Sequence, residues 1–238
     1  MQNTQLKVSI VVQDTWAIWR TDDSRGLRAP EFDNALLQDW YGCNSQKWNE
    51  LLKNTKLKPE IMFVGENPSK NNKKILEGEN LIIQCFHSSS SQDLLIKQLM
   101  ESGYFRGSYM TDAFDSAFEE TGKKIILSDI RKKYPADWQE IFTKARERFE
   151  QLLVFPDRTI IIALGGEAFK YIQQFTKGTF KASEISALEN GIKSLTLSKD
   201  SREWQVFKIY HPSPETYPQY RRQIPLQVKS LEKIISAL

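Results

Sequence analysis

The chain has 238 residues, of which 40% are hydrophobic, and this is enough to build one sizeable hydrophobic core. Its 33 basic and 30 acidic residues leave a formal net charge of +3, a mild excess that does not by itself indicate a nucleic-acid partner. Only two cysteines occur, Cys43 and Cys85, whereas an all-thiolate zinc or iron–sulfur site needs about four. We therefore expect no all-thiolate metal site and no disulfide framework, and the lack of disulfides is typical of a cytoplasmic protein. We also expect no other metal and no cofactor.

The amino-terminal stretch MQNTQLKVSIVVQDTWAIWR lacks the charged start and the small-residue cleavage site of a signal peptide. The longest apolar runs hold about six residues, against the roughly 20 that a membrane-spanning helix needs. We therefore expect a soluble, cytoplasmic monomer with no membrane partner.

The first 57 residues are predicted to form a helical and loop extension that packs on the rest of the chain, with tryptophans as anchors. After them, short apolar runs bounded by turn residues predict strands, and segments with a 3.6-residue apolar period predict helices. In chain order these are a strand over 61–65, a helix over 91–103, a strand over 108–114, a helix over 135–153, a strand over 159–165, an edge strand or hairpin arm over 195–198, a strand over 206–211 and a helix over 227–238.

Strands that alternate with helices indicate βαβ units, and these form a parallel sheet covered by helices on both faces. The predicted fold class is therefore α/β, a three-layer α/β/α arrangement with a central, mainly parallel four-stranded sheet. No internal repeat, low-complexity tract or linker interrupts the pattern. We expect residues 1–238 to form a single domain.

Polar residues stand where the predicted strands end. The first strand runs into GENPS (65–69), and the second carries Asp112 near its end. The third gives Gly165 and Gly166, and the fourth gives HPSP (211–214). In open parallel sheets, ligands bind beyond the carboxyl ends of the strands. The sequence therefore predicts a site at this edge of the sheet.

Asn67 and His211 each precede a proline, which restricts the backbone of the residue before it, as a preorganised site requires. Each also has a simpler interpretation. Asn before Pro often only starts a turn, and a single His at a strand end is often a packed or surface residue. The glycine pair 165–166 is compatible both with an anion site and with a tight turn into a helix. What favours a functional site is that both proline-flanked motifs fall on the same predicted rim.

GENPS followed far downstream by HPSP, on an α/β chain, resembles the uracil-DNA glycosylase superfamily. The resemblance spans about residues 60 to 225. The segments YMTD (109–112) and IIIALGGEAF, and CFH (85–87), are also similar to superfamily segments. The resemblance implies an enzyme that flips a nucleotide out of DNA and hydrolyses its N-glycosidic bond.

Catalytic and base-binding roles follow from the resemblance. Asn67 would orient a water molecule and His211 would donate a hydrogen bond to the departing base. Phe86 would stack on the flipped base, although it could equally be a core aromatic. The other residues expected to bind the base are Gly65, Glu66, Pro68 and Asp112.

DNA contacts are expected from the loops after the two motifs, because basic and hydroxyl side chains there suit phosphates. Tyr217 would be the wedge that fills the gap left by the flipped base. An ordinary solvated basic loop is the alternative. The other residues expected to contact DNA are Ser69, Lys70, Ser213, Arg221 and Arg222.

Asp112 departs from the uracil-specific pattern, in which an Asn at this strand end reads the uracil edge. An ionised Asp only accepts hydrogen bonds, so it would favour an amino group over the O4 of uracil. Alternatively, Asp112 caps the following turn. At the first tip, Asn67 resembles the mismatch-specific and single-strand-selective classes, and the cysteine count excludes the iron–sulfur classes.

The function that these residues favour is a monofunctional DNA glycosylase for a uracil-like or modified pyrimidine base. Three alternatives stay open. The protein could be a catalytically silent DNA-binding module of the same fold, or a glycosylase for modified cytosine in foreign, phage-type DNA. It could also be a flavodoxin-like protein that binds a phosphorylated ligand at Gly165 and Gly166, although no GxGxxG or Walker sequence is present.

Overall fold

A computed structural model describes residues 6–10, 15–16, 57–66, 96, 103–114, 116–120, 123–124, 126–154, 158–212 and 222–238. The strands in this part of the chain are β1 (Leu6–Ile10), β2 (Thr15–Trp16), β3 (Lys58–Gly65), β4 (Ser108–Asp112), β5 (Ser116–Glu120), β6 (Lys123–Lys124), β7 (Ile160–Leu164), β8 (Lys181–Ala182), β9 (Ser186–Ala187), β10 (Lys193–Lys199) and β11 (Arg202–Ile209). The helices are α1 (Leu127–Lys133), α2 (Pro135–Leu153), α3 (Gly166–Thr176) and α4 (Ile224–Ile235).

The central sheet has the order β2-β4-β3-β7-β11-β10-β8, and β9 also pairs with β10. Strands β4, β3, β7 and β11 are parallel to one another, which confirms the predicted parallel four-stranded centre. Antiparallel strands extend this centre at both edges, through β2 beside β4 and β10 beside β11. The hairpin arm predicted at 195–198 is β10, and it turns into β11 through Asp200 and Ser201, which both have positive φ.

Alternate residues of the central strands enter two separate cores. On one face, Met62 and Val64 of β3 and Ile161 of β7 pack against helices α1, α2 and α3. On the other face, Phe63 and Ile162 pack against α4 and the helical residue Ile96. A strand buried on both faces must be apolar at every position, which explains the unbroken runs in the sequence. The three-layer α/β/α prediction is confirmed.

The helices follow the predictions where the structure describes them. The helix expected over 135–153 is α2, and it begins with Pro135, whose missing N–H is harmless in a first turn. The helix expected over 227–238 is α4, which begins and ends three residues earlier. The helix expected over 91–103 lies almost entirely outside the described residues. No helix in the described ranges combines the length and the apolar character that crossing a membrane requires.

The prediction of helix and loop for the first 57 residues is wrong for two segments. Strand β1 pairs with β5, which pairs with β6, in a separate three-stranded sheet. Strand β2 joins the edge of the central sheet beside β4. The sequence LKVSI alternates apolar and polar residues, the two-residue period of a half-buried strand. Such a short run becomes a strand only because a distant partner strand is available to it.

Candidate active site at the carboxyl edge of the sheet

The four parallel strands end at one edge of the sheet, as predicted. Gly65 lies opposite Asp112 in the β3–β4 register, and Leu164 lies opposite Ile209 in the β7–β11 register. The segment after each strand therefore leaves the sheet at the same rim. The described residues that this brings together include Gly65, Glu66, Asp112, Gly165 and His211.

The predicted site residues are only partly covered by the described ranges. Arg222, next to the start of α4, is described and exposed. The remaining predicted site residues lie outside the described residues, and their roles stay predictions: Asn67, Pro68, Ser69, Lys70, Phe86, Ser213, Tyr217 and Arg221.

The end of β3 is joined by backbone hydrogen bonds to the turn that follows β4. The Ala113 N–H donates to the Gly65 carbonyl at 2.9 Å, and the Phe114 N–H donates to the Glu66 carbonyl at 3.2 Å. The backbone is thus held up to the residue directly before Asn67.

Asp112 is buried at 3% exposure, and its backbone is held by a side chain from α2. Arg148 donates from Nη1 to the Asp112 carbonyl at 3.1 Å and from Nη2 to the Thr111 hydroxyl at 2.6 Å. Charge-assisted bonds of this kind are stronger than neutral ones. Sequence analysis missed Arg148. The helical spacing could have indicated it, because Arg148 follows the buried Ala145 by three residues and therefore lies beside the apolar stripe of α2.

His211 lies directly against Gly165. A Cβ atom on Gly165 would come within 3.0 Å of the His211 Cβ, and Gly165 has φ of +96°, a conformation that favours glycine. The Gly165 N–H donates to the Ile209 carbonyl at 3.0 Å, two residues before His211. These contacts support the tight-turn interpretation of the glycine pair, with the added reason that His211 occupies the space where a side chain would lie.

Tyr171 of α3 contributes to the electrostatics of this rim, and sequence analysis missed it too. The pKa of the phenol is raised to about 12, mainly by burial and to a smaller extent by the negative charges of Glu66 and Glu167. The charge of Arg131 lowers it. The ring packs edge-on against Phe114, with centroids 4.7 Å apart. The phenol therefore stays protonated at neutral pH, and Glu66 lies within electrostatic reach of it.

The described residues show no group of three or more His, Cys, Asp or Glu side chains that could hold a metal ion. Among the described residues, this edge carries Glu66, Asp112 and His211, and the neutral phenol of Tyr171 is buried nearby. Carboxylates accept hydrogen bonds, and an imidazole can both donate and accept them.

The three-layer α/β/α fold places this protein in the α/β class, in which ligands bind beyond the carboxyl ends of the parallel strands, and this edge is therefore the candidate site. The family model of the uracil DNA glycosylase superfamily matches residues 52–234, which is more than half of the chain and includes both proline-flanked motifs. The chain belongs to the uracil DNA glycosylase superfamily, whose members are DNA glycosylases and act on DNA. No curated protein matches the chain significantly in sequence.

We expect Gly165→Ala to lower the free energy of unfolding by about 1–3 kcal/mol, because it forces a side chain into a left-handed conformation and against His211. Gly166→Ala is the matched control, since its Cβ would meet no atom within 4 Å and Ala favours helix by up to about 1 kcal/mol. Denaturant unfolding of both variants measures the difference. Equal stability of the two variants would contradict the close packing of His211 on Gly165.

We expect alkaline pH to destabilise the protein partly through Tyr171. An unfolded chain ionises this phenol near its ordinary pKa of 10, whereas the folded protein retains the proton until about pH 12. The folded state then binds more protons, so the free energy of unfolding falls as pH rises from 10 to 12. Tyr171→Phe removes the titrating phenol and with it this pH dependence. Denaturant unfolding at stepped pH should show a shallower decline for the variant, and parallel curves would refute the assignment.

Proposed function

We propose that the protein is a monofunctional DNA glycosylase that hydrolyses the N-glycosidic bond of a flipped-out uracil-like or modified pyrimidine base. The observation that carries the proposal is the position of the two motif ends. Strands β3 and β11 flank β7, so the residues that follow them leave the sheet about 10 Å apart, two strand spacings. A gap of this width suits a flipped nucleoside held from both sides.

In this proposal Asn67 and His211 act on opposite sides of the scissile bond. The Asn67 carbonyl orients the attacking water and weakly stabilises the positive charge that develops on the sugar, since an amide is not a strong general base. His211 donates a hydrogen bond to the oxygen of the departing anionic base, for which a neutral imidazole suffices. The contact of His211 with Gly165 supports this role because it limits where the imidazole can go.

The proposal of a glycosylase without lyase activity rests on the absence of a suitable amine in the motifs. Neither GENPS nor HPSP contains a lysine that could form a Schiff base with the sugar. Water is then the nucleophile, and an abasic site is the product. We propose that the enzyme works as a cytoplasmic monomer that needs no cofactor.

The DNA-binding surface is proposed for the loops that follow the two motifs. Lys70, Arg221 and Arg222 would hold phosphates, with hydrogen bonds from Ser69 and Ser213. Tyr217 would fill the gap in the base stack, and Phe86 would stack on the flipped base. The exposure of Arg222 supports its part in this surface.

Asp112 favours a second candidate substrate, a modified cytosine such as those of foreign DNA. Its carboxylate can accept a hydrogen bond from an exocyclic amino group and would repel the O4 of uracil. The support is that Asp112 pairs in register with Gly65, directly before Glu66 and Asn67, and that Arg148 holds its backbone. Glu66 and Pro68 would complete the surface around the base.

We expect Asn67→Ala and His211→Ala each to lower turnover by roughly 10²–10³-fold, because each removes an interaction that strengthens in the transition state. The assay offers labelled single- and double-stranded oligonucleotides with uracil, mismatched thymine, hypoxanthine, and plain or modified cytosine, and hot alkali reveals abasic sites. Lys144→Ala is the control, since Lys144 is exposed on α2 and contacts Glu140.

Unchanged cleavage by folded Asn67→Ala and His211→Ala would refute their assignments. Salt-dependent DNA binding without an abasic product from any oligonucleotide would refute the glycosylase and support the silent DNA-binding module.

We expect Asp112→Asn to shift the preference from amino-bearing bases towards uracil, because an amide can donate to O4. The ratio of kcat/KM for the two bases should change by roughly 10-fold or more. Asp200→Asn is the control: Asp200 is exposed in the β10–β11 turn at the opposite end of β11, and its φ of 48° suits Asn. An unchanged ratio with lower stability would show that Asp112 is structural.

A further inference from the structure

A fully buried amide on α4 makes two hydrogen bonds with the backbone of other elements. Gln227 is 0% exposed, and its Oε1 accepts from the Tyr210 N–H at 2.8 Å. Its Nε2 donates to the Asn190 carbonyl at 2.9 Å. Both ends of the side chain are thus occupied by specific partners.

Packing alone does not explain a glutamine at this position. The buried neighbours of Gln227 along α4 include Ile224, Val228 and Leu231, so it occupies the stripe that faces the apolar core. Burial of an amide in such surroundings is costly unless it is hydrogen-bonded. The hydrogen bonds to Tyr210 and Asn190 therefore account for the choice of residue.

The same network contacts the side chain of Tyr210. A short 3-10 turn, Glu189–Gly191, contains Asn190 and Gly191, which have φ of 55° and 73°. The Asn190 Nδ2 donates to the Ser230 Oγ at 2.8 Å, which ties this turn to α4. A Cβ atom on Gly191 would come within 2.9 Å of the Tyr210 hydroxyl. The turn therefore packs against the hydroxyl end of the tyrosine ring, while Gln227 holds the tyrosine backbone.

Tyr210 directly precedes His211, so the backbone is held from both sides just before the proposed catalytic residue. On one side the Gly165 N–H donates to the Ile209 carbonyl, and on the other Gln227 accepts from the Tyr210 N–H. We propose that Gln227 is a positioning residue for His211. Its effect on catalysis rests on the proposed function of His211, whereas its effect on the position of His211 does not.

The test that needs no substrate uses the imidazole resonances of the protein. The chain has two histidines, His87 and His211, so a spectrum of histidine-labelled protein contains two imidazole sets, and His211→Gln assigns them. We expect Gln227→Met to shift or broaden the His211 signals. We expect Gln227→Glu to restore them, because burial favours the neutral carboxyl, which keeps an oxygen towards the Tyr210 N–H and an O–H donor towards the Asn190 carbonyl.

Ser230→Ala is the matched control, because it removes the hydrogen bond of the Asn190 side chain to α4 and keeps both hydrogen bonds of Gln227. It should leave the His211 signals unchanged. An unchanged His211 signal in Gln227→Met, or the same change in Ser230→Ala, would overturn the proposal. If Gln227→Met does not fold, hydrogen exchange of the wild-type protein tests the proposal instead. The Tyr210 amide should exchange as slowly as the Ile209 amide, and fast exchange of Tyr210 overturns the proposal.

Base excision provides the second measurement. In Gln227→Met, we expect kcat to fall by about 10–100-fold, as small misplacements of a catalytic group do, with KM within about twofold of wild type. Gln227→Glu should recover most of the loss. Unchanged kcat in the folded Met variant, with active wild type, would overturn the proposal. If the wild-type protein excises no base, the proposed function is refuted. The positioning of His211 by Gln227 is then still tested by the His211 signals.

Discussion

The parallel pairing of β4, β3, β7 and β11 is the constraint on which the site depends. Parallel strands all end at the same edge, so one pairing pattern brings Glu66, Asp112 and His211 to one rim although they are far apart in sequence. The same pairing buries the central strands on both faces and therefore requires helices in two layers. The layered fold and the position of the site are consequences of one arrangement of backbone hydrogen bonds.

Polar side chains from both helical layers hold the backbone near the strand ends at this rim. From one face, Arg148 of α2 binds the Asp112 carbonyl, and from the other, Gln227 of α4 binds the Tyr210 N–H. Groups at a strand end have lost part of the ladder and need other partners when buried. Packed helices supply these partners, so the backbone at the rim is hydrogen-bonded without added residues in the site itself.

At the opposite end of the parallel strands, side chains also donate hydrogen bonds to backbone carbonyls. The buried Arg158 donates to the Leu152 carbonyl at 2.8 Å and lies over the ring of Tyr109, with 4.2 Å to the centroid. The indole of Trp204 donates to the Leu153 carbonyl at 3.0 Å. Both bonds secure the last turn of α2 at the end of the sheet where β7 and β11 begin. Fixing α2 at this end also fixes the helix that carries Arg148.

Sequence alone determined the parts of this protein that depend on neighbouring residues. The apolar runs of β3 and β7, the period of α2 and the proline-flanked motifs at Asn67 and His211 were all visible, because burial and turn chemistry act over a few residues. The rim followed from them, since a parallel sheet allows only one edge for all its strand ends. Strand β1 was missed because a five-residue run depends on its partner β5.

Tertiary structure alone decided which distant groups meet. The packing of the helices on the sheet decides three contacts. Gly165 leaves room for His211, Arg148 binds the Asp112 carbonyl, and Gln227 binds the Tyr210 N–H. A glycine, an arginine and a glutamine have many uses, and their local sequence does not select one. The choice is made by burial, which removes water as a partner and leaves each polar group only the partners that the packed chain supplies.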